Sequence, residues 1–360
     1  MRERNRENKG LPARWRLYHG AYYFQVPFGQ EHQWDGKRQF RLGKTLPEAY
    51  AVWAKRMEIQ EQAETVADLL DKYALRVVPT KAVKTRVDNA RAIKRLRAVL
   101  GDVSISEVRP KLIYQYVEHR KTKRVDESGR VQGGGTAAHR EIEVLSHAFT
   151  KAVEWGIIDR HPFKGEIRLA GEKPRTRYVE DWEIIECLGL SSQREKGSVR
   201  LIQAYIRLKL LTGLRQGDLL RLRLDDLRED GIHVEPRKTA HTTGKKLIFV
   251  WTPERRAAVD ACLDVRQVHI SASPWLFCTR RGECYFKESR GEARGWKAMW
   301  QRFMKRVLAE TEVRDPFTEH DLRAKAGSDA ESLERARQLL GHADAAITQR
   351  VYRRRPERIE

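Results

Sequence analysis

On either side of one charged stretch between Thr65 and Gly156, the apolar residues return every three or four positions, a period that commits these runs to helices packed on one another. Thr65 can cap a first helix in Thr65-Val-Ala-Asp-Leu-Leu-Asp-Lys-Tyr73, which sets Val66, Leu69, Leu70 and Tyr73 on one face. Ala90 to Leu100 and Arg109 to Arg120 repeat the pattern. The charged stretch Lys121 to Gly135, ending in glycines, reads as a mobile loop, and Thr136 to Trp155 as a long amphipathic helix that stops at Gly156. The expectation is a helical domain over residues 65–165, joined onward by a basic linker from Gly165 to Arg177.

The flanks obey other periods. Trp15 to His19, Ala21 to Val26 and Arg38 to Leu42 are short aromatic-rich runs parted by Gly20, Pro27, Gly29 and Asp35-Gly36, which predicts three strands. A helix should follow, with Thr45 and Glu48 as a capping box and Ala49, Val52, Trp53 and Met57 at helical spacing, so residues 1–58 form a small first domain. From Tyr178 onward, helical runs (Ser198 to Leu211, Gln216 to Leu222, Trp296 to Glu310, Ala330 to Leu340) surround a hairpin of Gly231 to Glu235 and Lys246 to Val250. Residues 175–360 are therefore a mixed α/β domain, and the whole chain is α+β, mostly α.

Charge narrows the partner. With 71 Lys+Arg against 50 Asp+Glu the net charge is +21, and every segment shares it: 12 basic against 6 acidic over 1–58, 21 against 13 over 65–170, and 38 against 29 over 171–360. A chain positive along its whole length suits a polyanion followed along its backbone, where each neutralised phosphate releases counterions. No uncharged apolar run is long enough to span a membrane, and residues 1–9 are too polar to open a signal peptide. Four cysteines (Cys187, Cys262, Cys278, Cys284) form no disulfide framework and suit a reducing cytoplasm, and the Cys278–Cys284 spacing lacks the second pair a zinc site needs.

Four short signatures follow in order: Leu211-Thr-Gly-Leu-Arg-Gln-Gly-Asp-Leu-Leu220, Pro236-Arg-Lys-Thr239, His320-Asp-Leu-Arg323, and Leu339-Leu-Gly-His342 with Tyr352 ten residues on. Together they resemble the tyrosine recombinases, the phage integrase family. Thr136 to Phe163 is similar to the helix and exit loop of that family's core-binding domain, and residues 1–58 to the arm-binding domain of lambda-type integrases. The stretch after Arg323, Ala-Lys-Ala-Gly-Ser-Asp-Ala, departs from the aromatic and β-branched helix usual there.

The resemblance implies a site-specific recombinase that cleaves DNA through a 3′-phosphotyrosine and rejoins it, integrating or excising phage or mobile-element DNA. Tyr352 is then the nucleophile, since a covalent phosphoester conserves the energy of the broken bond. Arg215 and Arg323 clamp the non-bridging oxygens, whose charge grows in the transition state. His320 activates or hydrogen-bonds, His342 donates to the same phosphate, and Asp218 orients the arginines. Lys238 protonates the leaving 5′ oxygen, with Lys245 and Lys246 as alternatives across the same turn. Two arginines and a lysine supply the charge, so neither metal nor nucleotide cofactor is called for. The implied partners are double-stranded DNA at core-type and arm-type sites, three further copies of the chain in a tetramer, and accessory DNA-bending proteins, in the nucleoid of a bacterial cytoplasm. The rival readings are a non-catalytic DNA-binding regulator on the same fold and a type IB topoisomerase.

Overall fold

The computed structural model describes residues 8, 10–54, 56, 63–121, 124–125, 131–132, 134–170, 174–195, 197–237, 244–266 and 273–356. The chain divides into two compact units, 1–172 and 173–360.

In the first unit β1 (Trp15–Tyr18), β2 (Ala21–Gln25) and β3 (Gln39–Gly43) form the expected antiparallel sheet in that order, with Trp15 opposite Phe24 and Phe24 opposite Phe40. Alternation turns Trp15, Phe24 and Leu42 inward, and Trp34 from the connecting turn closes on Phe24 at 4.5 Å between ring centroids. Helix α1 (Leu46–Ala54) opens on the predicted box: Thr45 N donates to Glu48 Oε2 at 3.2 Å and Glu48 N to Thr45 Oγ1 at 3.4 Å. Its Tyr50 and Trp53 pack on Trp15 at 5.0 and 5.6 Å.

Helices α2 (Val66–Arg76), α3 (Val83–Leu100), α4 (Pro110–Lys121) and α5 (Gly135–Glu154) share one core with that sheet. The stretch read as a loop between α4 and α5 carries a two-residue antiparallel ladder, β4 (Arg124–Val125) with β5 (Val131–Gln132), so backbone pairing closes it where periodicity gave no signal. Glu141 on α5 binds the bundle together. Buried, it accepts from Tyr116 Oη at 2.6 Å, from Arg120 Nε and an Arg120 terminal nitrogen at 2.9 Å each, and from Arg95 at 3.0 Å. Burial pushes its carboxyl up, but the bonds from Arg120, Tyr116 and Arg95 outweigh that and hold it below the usual range.

The second unit is built around α7 (Ser198–Thr212), buried on most faces against α9 (Pro253–Asp264), α10 (Arg294–Glu310) and α11 (Glu319–Ser328), with α6 (Asp181–Gly189) and the short α8 (Gln216–Leu220) completing its helical layer. The predicted hairpin is present as β7 (Gly231–Val234) and β8 (Leu247–Val250), and β6 (Leu227–Arg228) extends it to three antiparallel strands. Helix α12 (Leu333–Leu340) starts three residues later than periodicity indicates, because Ser332 is the cap, its Oγ accepting from Arg335 N at 3.1 Å. A short turn, Ala345–Ile347, then leads into a π-turn, Thr348–Tyr352.

Candidate active site

The turn that presents Arg215 is set by Gly213. It ends α7 in the left-handed region at φ +59°, and a Cβ there would stand 2.9 Å from Leu340 Cδ2, so only glycine fits. The chain reverses at Gly213-Leu214, and half-buried Arg215 becomes the residue before α8. Two buried cations hold the turn from inside: Lys209 Nζ donates to Leu214 O, and Arg323 to Gly213 O.

Arg323, almost fully buried on α11, ties three parts of the site together. Besides Gly213 O, its guanidinium donates to Leu340 O at 2.7 Å and to His342 Nε2 at 3.0 Å. Because arginine only donates, Nε2 of His342 is the acceptor and the ring proton sits on Nδ1, which faces Thr348 Oγ1 at 2.9 Å. Arg323 Nε is buried without a hydrogen-bond partner among the described residues. Burial, then the neighbouring charge of Arg215, brings the Arg323 group down to about 10, with Tyr352 acting in the opposite sense.

Tyr352 is buried among these groups. Its ring centroid lies 5.3 Å from that of His320 and 4.8 Å from that of His342, and the Arg323 guanidinium carbon is 5.4 Å from it. His320 and Arg323 project from one side of α11, as their i, i+3 spacing predicts. Both histidines are held neutral. Desolvation and then Arg323 push His320 to about 4, with Arg354 and Lys209 adding, although the residue is exposed. His342 is pushed to about 4 by burial, then by Arg323, Arg215 and Lys245.

The remaining sequence-predicted residues fall around this cluster. Asp218 is buried and accepts from the backbone N of Arg237 at 3.2 Å, so its direct grip is on the base of the hairpin, while its charge supports Lys209 and Arg323. Lys238 lies outside the described residues. Lys245, two residues before β8, is half-buried and its charge acts on His342; the first β8 residue, Leu247, would meet a Cβ on Gly341 at 3.1 Å. The hairpin's second strand therefore runs beside His342.

Four contributors escaped the motif reading. Lys209 is buried in α7 and pushed to about 7 by desolvation. Glu319 accepts from Gln216 at 2.5 Å and Trp296 at 3.0 Å, Thr348 fixes the His342 ring, and Arg354 reaches Asp321. Nothing in the spacing marks Lys209, which shares its helix with Arg200, Gln203 and Arg207; Glu319 and Arg354 act through partners distant in the sequence, and Thr348 through a ring six residues before it. Among the described residues no cluster of three or more His, Cys, Asp or Glu could hold a metal ion.

The chain is 24% identical to the integrase of Enterobacteria phage 434 over 361 aligned positions, covering 95% of this chain and 93% of that one. Its fold matches lambda integrase, solved as a dimer bound to a COC′ core site (TM-score 0.60, 20% identity) and as a tetramer bound to a Holliday junction (TM-score 0.61, 21% identity), each alignment covering 99% of both chains. Residues 189–358, which contain every element of the cluster around Tyr352, match the phage integrase family, so this part of the chain carries that family's domain.

Proposed function

We propose that this protein is a site-specific DNA recombinase that breaks and rejoins DNA through a tyrosine-linked intermediate, serving the integration or excision of phage or other mobile DNA. The observation that carries the proposal is the convergence on Tyr352 of two neutral histidines and a buried arginine with an unpartnered Nε.

The chemistry follows from those groups. A non-bridging phosphate oxygen satisfies Arg323 Nε and draws in Arg215, so negative charge built up at phosphorus meets fixed donors. Neutral His320 has a free lone pair at physiological pH and takes the phenolic proton as Tyr352 oxygen bonds to phosphorus. The bond to the 5′ oxygen breaks, and that oxygen takes a proton from a hairpin lysine, Lys238, or Lys245 or Lys246 across the turn. Religation runs the same steps backward with another strand's 5′ hydroxyl. His342, whose Nε2 accepts from Arg323, becomes a phosphate donor only once that contact is exchanged or the ring is protonated.

The lambda integrase tetramer on a Holliday junction supports a tetramer here, exchanging strands between two duplexes. In this reading residues 1–58 bind arm-type sites, 65–165 grip the core site and 175–360 perform catalysis, with DNA-bending proteins as accessories and the bacterial cytoplasm as location. Among the described residues no helix is long and apolar enough to cross a membrane.

The test is trapping on nicked suicide DNA carrying the attachment core, in chelator. The protein should form an SDS-stable complex that Tyr352→Phe abolishes while still binding DNA. Binding by both proteins with no covalent complex from either would establish the DNA-binding regulator instead.

A further inference from the structure

Tyr352 sits at the end of a π-turn, where backbone hydrogen bonds alone fix little, so its placement depends on what holds the residues beside it. Contacts of Ser328, Arg353 and Arg354 do so, tying the segment to α11 and to the turn just beyond it. Ser328 Oγ donates to Tyr352 O and accepts from Arg354 N, both at 2.7 Å, so one hydroxyl spans the nucleophile residue from its carbonyl to the amide two residues on. Arg353 donates to Ala330 O at 2.7 Å. The Arg354 guanidinium donates to Asp321 Oδ1 at 2.7 Å, to Arg177 O at 3.2 Å and, through Nε, to Val351 O at 2.8 Å.

The pair of Arg354 with Asp321 is nearly dry: their side chains are 4% and 0% exposed. Asp321 divides its oxygens between two tasks. Oδ2 caps the start of α11, accepting from Thr318 N and Oγ1 at 2.8 Å each, with Arg175 at 3.1 Å, and Oδ1 takes Arg354. The carboxylate that fixes the beginning of α11 is thus next in sequence to His320, and the same carboxylate anchors the chain just beyond Tyr352. Gly327 admits the tyrosine: a Cβ there would stand 3.3 Å from Tyr352 Cβ.

We infer that Arg354 is a positioning residue for the nucleophile, its bond to Asp321 drawing the segment that carries Tyr352 against the helix that carries His320 and Arg323. The inference rests on the proposed role of Tyr352. A surface arginine after a DNA-linked tyrosine would ordinarily be read as a phosphate contact, but this guanidinium is enclosed, and its Nε and one terminal nitrogen donate to protein oxygens. Misplacing a reacting group by about 1 Å can lower a rate by about a hundredfold, so a clasp two residues from the nucleophile has leverage on the chemical step.

The test compares single-turnover formation of the covalent complex on suicide DNA, at saturating protein and scaled to the folded fraction, for the full-length chain and for Arg354→Ala, Arg354→Lys and Ser328→Ala. Arg354→Ala should cut the rate by about ten- to a hundredfold with the DNA dissociation constant unchanged, and Arg354→Lys, whose ammonium can still meet Asp321, should recover much of it. Ser328→Ala, which leaves the ion pair intact, should slow the same step, and it stands in for Arg354→Ala if that variant does not fold. Rates equal to the unmodified protein overturn the inference, and so does a loss confined to DNA affinity, which would make Arg354 a backbone contact. Tyr352→Phe runs alongside. If it still links to DNA, the nucleophile assignment fails and the inference with it; if it does not, and Arg354→Ala and Ser328→Ala cleave normally, only the inference fails.

Discussion

Lys209 is a costly side chain: an ammonium with 1% exposure, disfavoured by the charges of Arg323 and Arg215 and favoured by those of Glu319 and Asp218. Desolvation dominates and leaves it at about 7, against about 10.4 in an unfolded chain. Between those values the unfolded state binds more protons than the folded one, so this group makes stability rise with pH from about 7 toward 10. Buried thiols at Cys187 and Cys262, pushed up by desolvation, act oppositely above their ordinary range, so the difference from a variant is the clean measure. Denaturant unfolding across that window should show Lys209→Met gaining less with pH than the unmodified protein; parallel profiles would mean that the ammonium is not shielded. Arg215 makes a different demand. It is half-buried and its fold role is small, so Arg215→Lys should fold normally, yet losing the planar fork should slow cleavage by at least on the order of tenfold in a single-turnover assay.

Among the elements, α5 was legible and α11 was not. The apolar face of α5 (Ala138, Ile142, Leu145, Phe149, Ala152) is written in hydrophobic residues at helical spacing, so periodicity finds it to within a residue or two. Helix α11 buries Asp321, Arg323, Lys325 and Ser328, and each meets a polar partner remote in sequence. No hydrophobic period exists to be read there, and the departure from the usual apolar helix is resolved by pairing: Lys325 meets Asp181 at 2.6 Å and Asp329 at 2.9 Å and donates to Tyr178. The site residues on α11 were reachable only because His320 and Arg323 belong to a recognisable signature. Glu141 on α5 shows the same polar logic inside a helix that hydrophobicity did find. Removing it leaves buried Tyr116 and half-buried Arg120 without their acceptor, so Glu141→Ala should destabilise the protein by about 3–5 kcal/mol in urea unfolding. Since its folded-state pKa is depressed, its contribution is complete above the unfolded value of about 4.3 and disappears as pH falls through the folded value; the variant's deficit should therefore shrink in acid.

At the scale of the whole molecule, a net charge of +21 makes DNA affinity steeply salt-dependent but does not say which surface reads which site. Deleting residues 1–58 is a poor way to ask, because β1–β3 and α1 share a core with α2 and α3: Leu11, Trp15 and Tyr50 are buried in it, and Tyr50 donates to Asp71 of α2 at 3.4 Å. Truncation would expose that core and confuse lost binding with lost folding. The sheet register offers a cleaner probe. Arg16 pairs with Tyr23 and Tyr23 with Arg41 across the three strands, so the two arginines flank one tyrosine on the face opposite Trp15, Phe24 and Leu42, and both are exposed. If this face holds the flanking arm-type DNA, full-length Arg16→Glu/Arg41→Glu should keep its thermal stability and its covalent complex on isolated core-site DNA. It should lose protection of the flanking sequences in footprints, lose integrative recombination, and show a shallower salt dependence on arm-site DNA by about one to two in the logarithmic slope. Footprints that still cover the flanks would move arm recognition off the sheet face and leave its arginines as contributors to charge alone.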